Sequence, residues 1–182
     1  TMDIYAPLAG RMGMQDMRQE LEDLAFRVLQ PDHYKAITDR LDEMKSEFAD
    51  TIKTIKTELS EKLKGDGIDA RVSARVKSPW SIFSKIERKQ IALEQLSDMI
   101  GFRVIVPTVA DCYRALGIVH TNWKVVPGRF KDYISVPKHN DYRSIHTTIV
   151  GVGRQRAELQ IRTEEMHRIA ELGIAAHALY KE

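Results

Sequence analysis

The sequence predicts an α+β protein in which a helical N-terminal part precedes a sheet flanked by helices. Up to residue 63, apolar residues recur at spacings of three and four, which is typical of amphipathic helices. From residue 68 onward, short runs alternate between apolar and polar residues, as half-buried strands do. Capping residues mark further helices between these runs, so strands and helices are interleaved in the second part.

The N-terminal part is predicted to form two amphipathic helices, of which the second is long. The first has its apolar stripe at Met14, Met17, Leu21, Leu24 and Val28. The second begins at Pro31 and has its stripe at Leu41, Met44, Phe48, Ile52, Ile55, Leu59 and Leu63. Gly65-Asp66-Gly67 then ends the helical periodicity, and this turn signal predicts the main boundary of the chain.

The first predicted strand is IDARVSARVK, residues 68–77, in which the alternation is strict. Its apolar face consists of Ile68, Ala70, Val72, Ala74 and Val76. Its polar face consists of Arg71, Ser73, Arg75 and Lys77. Cations that project side by side repel one another, so this polar face requires either an anion or solvent.

The segment after this strand predicts a helix with a phosphate-binding end. Ser78 is a favourable N-cap and Pro79 suits the first helical position, and we expect the helix to run to about Leu96. Together with the helix N-terminus, three side chains offer the donors and positive field that a triphosphate needs. They are Lys77, Ser81 and Lys85. The plainer interpretation is a capped helix with a solvated lysine.

MIGFRVIV predicts the next strand. Asp98 introduces this strand and Arg103 lies within it, and their opposite parity would put them on different faces of a regular strand. Either a bulge at Gly101 brings the two side chains together or Asp98 precedes the strand. A helix over 111–123 and a turn at Pro127-Gly128 are expected to follow.

The last two predicted strands form an antiparallel hairpin around the turn signal GVGRQ. In the first strand, the period of two puts Tyr142, Ser144, His146 and Thr148 on one face and Ile145 and Ile149 on the other. In the second, RAELQIRT, Ala157, Leu159 and Ile161 point inward and Glu158, Gln160 and Arg162 point outward. Thr163 then caps a final helix.

The stretch 129–147, RFKDYISVPKHNDYRSIHT, has the composition of a pocket for phosphates and a base. Cations, hydroxyls, a tyrosine and a histidine occupy positions where a core would contain aliphatic residues. A strand with satisfied surface residues is the plainer interpretation of this stretch alone. The polar face of the neighbouring strand favours the pocket.

Composition limits the remaining possibilities. The chain has 182 residues, is 43% hydrophobic and carries a formal net charge of +2. A real core is therefore expected, and the net charge is too small to imply a nucleic-acid binder by itself. Cations are concentrated locally, since residues 71–89 carry six Lys and Arg against one acid. The single Cys112 excludes internal disulfides. We expect a cytoplasmic chain without a membrane span.

Several long motifs, in this order, resemble the RelA/SpoT homologues, the family of (p)ppGpp synthetases. They are RVKSPWSIFSK (75–85), SDMIGFRVIV (97–106), DCYRALGIVH (111–120), RFKDYISVPKHNDYRSIHTT (129–148) and ELQIRTEEMHRIAELGIAAH (158–177). The resemblance implies a nucleotidyltransferase-like, mixed five-stranded sheet flanked by helices. It also implies pyrophosphate transfer from ATP to the 3'-hydroxyl of GDP or GTP, with release of AMP.

The resemblance also implies roles for particular residues. Arg75 and Arg103 would sandwich adenine, and Lys77, Ser81 and Lys85 would hold the ATP phosphates. Asp98 and Glu158 would bind Mg²⁺, Glu158 would also accept the proton of the attacking 3'-oxygen, and Gln160 would support the site. On the acceptor side, guanine would stack on Tyr142, with Lys138 and His146 near the phosphates and Arg129 and Lys131 in the basic form of the guanine-side motif.

The same resemblance implies a fragment of a long, bifunctional enzyme. Residues 1–30 would be the end of a preceding hydrolase domain, 31–66 a linking helix and 67–182 the synthetase domain. Expected partners are the hydrolase domain and the C-terminal regulatory domains of the same protein, and the ribosome through those absent domains. No hydrolase activity is expected from this fragment.

Some residues leave alternatives open. His139-Asn140-Asp141 replaces the Asn-Gly that commonly precedes the tyrosine in the family, and Arg143 stands where Gln is frequent. A silent nucleotide-binding module and an RNA-binding module are the rival functions. His167, Glu171 and His177 have the spacing of a possible metal cluster on the last helix, but a solvated helix face is the favoured interpretation.

Overall fold

The computed structural model describes residues 1–90 and 100–173. Within these residues the chain forms helices around one mixed sheet, which confirms the predicted α+β class. The helices are α1 (Tyr5–Arg11), α2 (Gln15–Leu29), α3 (Pro31–Glu47), α4 (Ala49–Gly65), α5 (Pro79–Lys89), α6 (Val109–Asn122) and α7 (Glu164–Leu172). The strands are β1 (Arg71–Val76), β2 (Ile100–Val106), β3 (Lys124–Val125), β4 (Lys131–Asp132), β5 (Ile145–Val150) and β6 (Arg156–Thr163).

The sheet has the strand order β1-β2-β6-β5-β3, and β4 pairs with β5 beside this path. The resemblance implied five strands, whereas the described part of the chain has six, since the two-residue strands β3 and β4 both pair with β5. The β2–β6 pair is parallel and the other pairs are antiparallel. The predicted hairpin is confirmed as β5 and β6.

The main core lies between one face of the sheet and helices α4 and α6. Side chains of β2, β5 and β6 that are 1% exposed or less pack there with Leu59 of α4 and Val119 of α6. Cys112 of α6 is part of this core, and its burial raises the pKa of the thiol to about 12. A thiol in this position is a packing group rather than a nucleophile.

A second, smaller core joins the N-terminal helices to α5. Phe26 of α2 is 1% exposed and packs with its ring 4.7 Å from that of Phe83 and 5.4 Å from that of Trp80. The stripe predicted for this helix is wrong in part, because Leu24 and Val28 are 54% and 79% exposed. The helix is turned so that Phe26 faces the aromatic residues of α5, which periodicity alone does not reveal.

Three predicted element boundaries also differ from the structure. The long helix of 31–66 is broken at Phe48, whose φ of −104° and ψ of 8° separate α3 from α4. Helix α5 ends at Lys89, since Gln90 adopts a left-handed conformation as its C-cap; Leu96 lies outside the described residues. Strand β5 begins at Ile145, so Tyr142 and Ser144 precede the strand rather than belonging to it.

The apolar face of strand β1 is less buried than the alternation of its sequence predicts. Ile68 and Val72 are buried with α4, whereas Val76 is 40% exposed and Ala74 is also exposed. The reason is position, because β1 is an edge strand and the core cluster reaches only its first half. None of the described helices is long and apolar enough to cross a membrane.

The corner between α1 and α2 packs closely against the end of α7. Gly173 caps α7 with φ +57°, and a Cβ placed there would lie 2.2 Å from the carbonyl oxygen of Met12. Gly13 in the corner also has a positive φ and faces the backbone of Gly173. Two glycines therefore permit a close backbone approach that no other residue type would allow.

We expect Gly173→Ala to lower the free energy of unfolding by about 1–3 kcal/mol, because it adds both overpacking and an unfavourable left-handed conformation. Urea unfolding followed by circular dichroism measures this change. Gly117→Ala is the matched control, since Gly117 lies inside α6 and a Cβ added to it would meet nothing within 4 Å. The free energy of unfolding of this control should rise by about 0.5–1 kcal/mol. Equal stability of the two variants would contradict the close packing of the corner.

Candidate functional site

The register of the sheet assembles polar side chains into two adjacent rows. In one row, Arg103 of β2 is paired with Gln160 of β6, and Gln160 is paired with His146 of β5. In the next row, Arg75 of β1 is opposite Gly101, and Gly101 is opposite Glu158 of β6. Residues two apart on a strand share a face, so these side chains converge on the side of the sheet away from the main core.

Strand β2 is regular at the point where a bulge was considered. Its pairing is continuous from Ile100 to Ile105 with β1 and from Ile100 to Val106 with β6, and Gly101 keeps its place in both registers. A bulge at Gly101 is therefore wrong. A Cβ at Gly101 would lie 3.3 Å from the Arg75 carbonyl oxygen, so the glycine allows close approach of β1. Asp98, the predicted metal ligand, lies outside the described residues.

A cavity of about 270 Å³ lies over these rows. Its walls come from the sheet, α2, α7 and the loop before β5. Among the predicted site residues, it is lined by Arg75, Ser81, Arg103, Lys138, Tyr142, His146 and Gln160. Lys77, Lys85, Arg129, Lys131 and Glu158 do not line this cavity. Lys85 lies one turn after Ser81 on α5, and Lys131 of β4 is paired with His146 of β5.

Glu158 and Lys77 form an ion pair at the side of this cavity. The Lys77 Nζ lies 2.9 Å from Glu158 Oε2, and the other carboxylate oxygen lies 3.7 Å from His146 Nδ1. Both side chains of the ion pair are about a quarter exposed or less, at 20% and 26%. The carboxylate is thus accessible from the site and is oriented by a cation that a phosphate group would also attract.

The first turn of α5 is capped as predicted, but a carboxylate from α2 shares the position. Ser78 accepts a hydrogen bond from the Ser81 amide at 3.3 Å, and the Trp80 amide donates to Asp23 Oδ1 at 2.8 Å. Burial raises the pKa of Asp23, although hydrogen bonds to its carboxylate from the Trp80 amide and the Ser78 side chain act in the opposite direction. Gln19 of the same helix accepts a hydrogen bond from Arg75 at 3.1 Å. Helix α2 therefore forms one wall of the site, which the sequence did not predict.

An aromatic cluster around Tyr142 forms another wall of the cavity. Tyr142 and Tyr133 pack edge to face at 6.0 Å, and Lys138 Nζ lies 4.8 Å from the Tyr142 ring centre and 4.6 Å from that of Tyr133. The Tyr142 hydroxyl and His146 Nε2 are 2.8 Å apart. The pKa of His146 is lowered to about 4, mainly by burial; Glu158 opposes this shift, and Lys138 and nearby arginines act in the same direction as burial. His146 is therefore a neutral hydrogen-bonding group near pH 7.

Two features shape the loop that carries Lys138. Asp132 accepts hydrogen bonds from the Ile134 and Ser135 amides at 2.9 and 3.0 Å and one from the Ser135 hydroxyl at 2.7 Å. Desolvation raises the pKa of Asp132, but these hydrogen bonds outweigh it and lower the pKa overall. Asp141, at the place where the family commonly has glycine, has a φ of 56°. The residue type differs from glycine, but the left-handed backbone that favours glycine is present.

Arg162 is a site residue that the sequence predicted only as one member of a polar face. It lines the cavity and is 2% exposed, and its guanidinium lies 2.7 Å from His167 Nδ1. Among the described residues, no acceptor binds the buried Nε atoms of Arg103 and Arg162. Buried guanidinium groups with free donors suit a ligand rich in oxygen or nitrogen acceptors.

The predicted solvated face of the last helix is wrong at His167 and Glu171. The His167 side chain is 12% exposed, and its Nε2 lies 3.1 Å from Glu171 Oε1. Glu171 in turn forms an ion pair of 3.0 Å with Arg103. Both ring nitrogens of His167 thus face protein partners rather than solvent. Across the described ranges no group of three potential metal ligands is present, and His177 lies outside them.

The sequence comparisons identify relatives over the whole chain. The family model described as "Region found in RelA / SpoT proteins" matches residues 74–182. The chain is 64% identical over 182 residues to the GTP pyrophosphokinase rsh of Brucella ovis and 50% identical over 186 residues to the GTP pyrophosphokinase of Myxococcus xanthus. Each alignment covers 100% of this chain but 24% of the relative. The chain therefore spans about a quarter of the length of these curated relatives.

Comparison with solved structures gives the same fold. The small alarmone synthetase 1 from Bacillus subtilis, bound to its product pppGpp, matches with a TM-score of 0.61 and 24% sequence identity. The match covers 79% of this chain and 83% of that one. At this level of identity the likeness establishes the architecture. With a family match over more than half of its length, the chain belongs to the RelA/SpoT family.

Proposed function

We propose that this chain transfers pyrophosphate from ATP to the 3'-hydroxyl of GDP or GTP, giving ppGpp or pppGpp and AMP. The observation that supports this most is the cavity in which arginines and Tyr142 converge, with the Lys77–Glu158 pair beside its lining residue His146. The names of the longer relatives, GTP pyrophosphokinases, are consistent with it. The solved relative with the same fold is described with pppGpp as its product.

On the donor side, Arg75 and Arg103 would hold adenine between their planar guanidinium groups, which stack well on aromatic bases. Both line the cavity from adjacent strands. Lys77, Ser81 and Lys85 would bind the triphosphate near the first turns of α5, where the helix dipole favours negative charge. Lys77 is paired with Glu158. When ATP binds, Lys77 would leave this carboxylate and contact the phosphates instead.

On the acceptor side, guanine would stack on Tyr142 and the 5'-phosphates would meet Lys138 and His146. Lys138 lies over the rings of Tyr133 and Tyr142, so it can exchange a cation–π contact for a phosphate contact. Arg129 and Lys131, which are exposed and lie outside the cavity, would meet the far end of the acceptor. Gln160 lies between Arg103 and His146 in the sheet and would orient the two substrates.

The proposed step is an in-line displacement at the β-phosphorus of ATP. The acceptor 3'-oxygen forms a bond to this phosphorus, the bond from the phosphorus to the α,β-bridging oxygen breaks, and AMP leaves. Glu158 accepts the proton of the 3'-hydroxyl. Positioning and neutralisation of charge supply most of the rate in such transfers, and the cations of the cavity are suited to both.

A divalent metal fits the donor chemistry of the site. Glu158 offers a hard carboxylate oxygen next to the predicted phosphate position, and Mg²⁺ typically binds one or two carboxylates together with substrate phosphates. Glu158 and Asp98 would hold the ion. When bound, Mg²⁺ would neutralise charge on the transferred group.

The rival functions have less support. An RNA-binding module needs a continuous groove for a polymer, whereas the cations here surround a cavity that α2 also borders.

In a longer protein, the N-terminal helices would connect the synthetase to a hydrolase domain, and regulatory domains would follow. Activity of those domains, their contact with the ribosome and a cytoplasmic location belong to the same proposal.

The first prediction concerns the reaction. The 182-residue chain, incubated with ATP, Mg²⁺ and GDP or GTP, should form AMP and a 3'-pyrophosphorylated guanine nucleotide in equal amounts. Anion-exchange chromatography with radiolabelled ATP measures both products. The same chain should not hydrolyse added ppGpp. Breakdown of ppGpp without synthesis would contradict the proposal.

The second prediction separates catalysis from binding at Glu158. Glu158→Gln keeps the shape of the side chain but removes the proton acceptor, so turnover should fall by about 10² to 10⁴. Calorimetry should show near-normal binding of GDP, because guanine and its phosphates are held by other side chains. Glu61→Gln, an exposed change on α4, serves as the control and should leave turnover unchanged. If Glu158→Gln retains more than about a tenth of wild-type turnover, against that range, a residue other than Glu158 accepts the proton of the 3'-hydroxyl.

A further inference from the structure

Four side chains form a continuous chain of contacts between the buried end of β6 and the cavity. Arg162 Nη2 lies 2.7 Å from His167 Nδ1, His167 Nε2 lies 3.1 Å from Glu171 Oε1, and the same oxygen accepts a hydrogen bond of 3.0 Å from Arg103 Nη1. We call Arg162, His167 and Glu171 the α7 relay. It connects a residue without an assigned role to the arginine predicted to stack on adenine.

The chemistry of arginine fixes the state of the histidine. A guanidinium has only donors, so the close contact with Arg162 requires a lone pair on His167 Nδ1. The single proton of the neutral ring is then on Nε2, which faces the Glu171 carboxylate. Burial lowers the pKa of His167 to about 4, with Arg162 and Arg103 acting in the same direction. Near pH 7 the ring therefore accepts from Arg162 and presents its N–H to Glu171.

The charges of the relay show why Glu171 matters to Arg103. Among the described residues, Glu171 is the one carboxylate within 4 Å of the Arg103 guanidinium, and none lies within 4 Å of that of Arg162. Burial raises the pKa of Glu171, and Asp16 of α2 raises it further, while the two arginines oppose them. A neutral histidine connects Arg162 to Glu171 without adding a further charge.

We propose that the α7 relay positions Arg103 for stacking against the adenine of ATP, an inference that rests on the proposed function. The bond to Glu171 lies in the plane of the guanidinium, whereas a base stacks on its face, so the two contacts are compatible. Fixing the plane of Arg103 in advance lowers the entropy cost of binding the base. Within the relay, His167 and Glu171 are positioning residues, since they act through Arg103.

Helix α7 has other anchors, so changes in the relay can be tested in a folded chain. Its N-terminus is capped by Thr163, whose side chain accepts a hydrogen bond from the Met166 amide at 3.2 Å. Met166 and Ala170 are 6% and 4% exposed and pack inward. Loss of the relay contacts therefore leaves the buried face of α7 in place.

The experiment compares four variants of the 182-residue chain. Glu171→Gln removes the charge opposite Arg103, and His167→Leu removes both ring contacts. His167→Gln retains an acceptor and an N–H in one amide and is the conservative rescue. Glu165→Gln is the matched control, because it changes an exposed residue of the same helix. Thermal unfolding of each variant establishes that it is folded before binding is measured.

The expected result is selective for the donor nucleotide. Glu171→Gln and His167→Leu should raise the Kd of a non-hydrolysable ATP analogue, and the KM for ATP, by about two- to fivefold, as expected for a partly exposed ion pair. The rise in the Kd of GDP should be smaller, and kcat with saturating ATP should stay within about twofold of the wild type. His167→Gln and Glu165→Gln should bind the analogue like the wild-type chain.

Two outcomes would overturn the inference on separate grounds. An unchanged Kd for the ATP analogue in both Glu171→Gln and His167→Leu would mean that Arg103 needs no positioning, even if the chain makes the alarmone. A ¹⁵N NMR spectrum of His167 at pH 7 with a proton on Nδ1, or with both nitrogens protonated, would exclude the relay itself. Failure of the wild-type chain to bind the analogue would overturn the proposed function as well, and the NMR result would still decide whether the relay exists.

Discussion

The pairing of β6 between β2 and β5 is the constraint on which the rest of the structure depends. This pairing sets Arg103, Gln160 and His146 side by side and brings Arg75 and Glu158 into the adjacent row. A shift by one residue would turn every side chain of β6 to the other face. Glu158 and Gln160 would then enter the main core, and Leu159 and Ile161, which are fully buried, would face the cavity. Packing of the core and geometry of the site are thus fixed by the same register.

Charge is the second constraint, because the register concentrates cations on one side of the sheet. Lys77 is compensated by Glu158 and Arg103 by Glu171, whereas Arg162 contacts a neutral histidine. These contacts stabilise the arrangement while leaving buried guanidinium donors free in the described part of the cavity. A nucleotide brings phosphate oxygens that can replace the carboxylate partners and base atoms that can stack on the guanidinium planes. The site is therefore organised for an anionic ligand.

Local sequence signals predicted the elements whose form depends on neighbours along the chain. The alternation of residues 156–163 gave the faces of β6, and Ser78 and Thr163 gave the starts of α5 and α7. Contacts between distant segments could not be predicted in this way. Asp23 and Gln19 reach residues more than 50 positions away, and the break at Phe48 and the burial of Phe26 follow from packing rather than from propensity. His167 was misjudged because helical spacing does not reveal that Arg162 lies beneath it.

In the proposed function this cavity is the nucleotide site, and Lys77 exchanges Glu158 for the phosphates of ATP. A crystal structure of the chain with a non-hydrolysable ATP analogue, Mg²⁺ and GDP would decide this. We expect adenine between Arg75 and Arg103, guanine on Tyr142, and Lys77 bound to phosphate oxygens instead of at its present 2.9 Å from Glu158. Nucleotides bound elsewhere, with the Lys77–Glu158 pair intact, would contradict it.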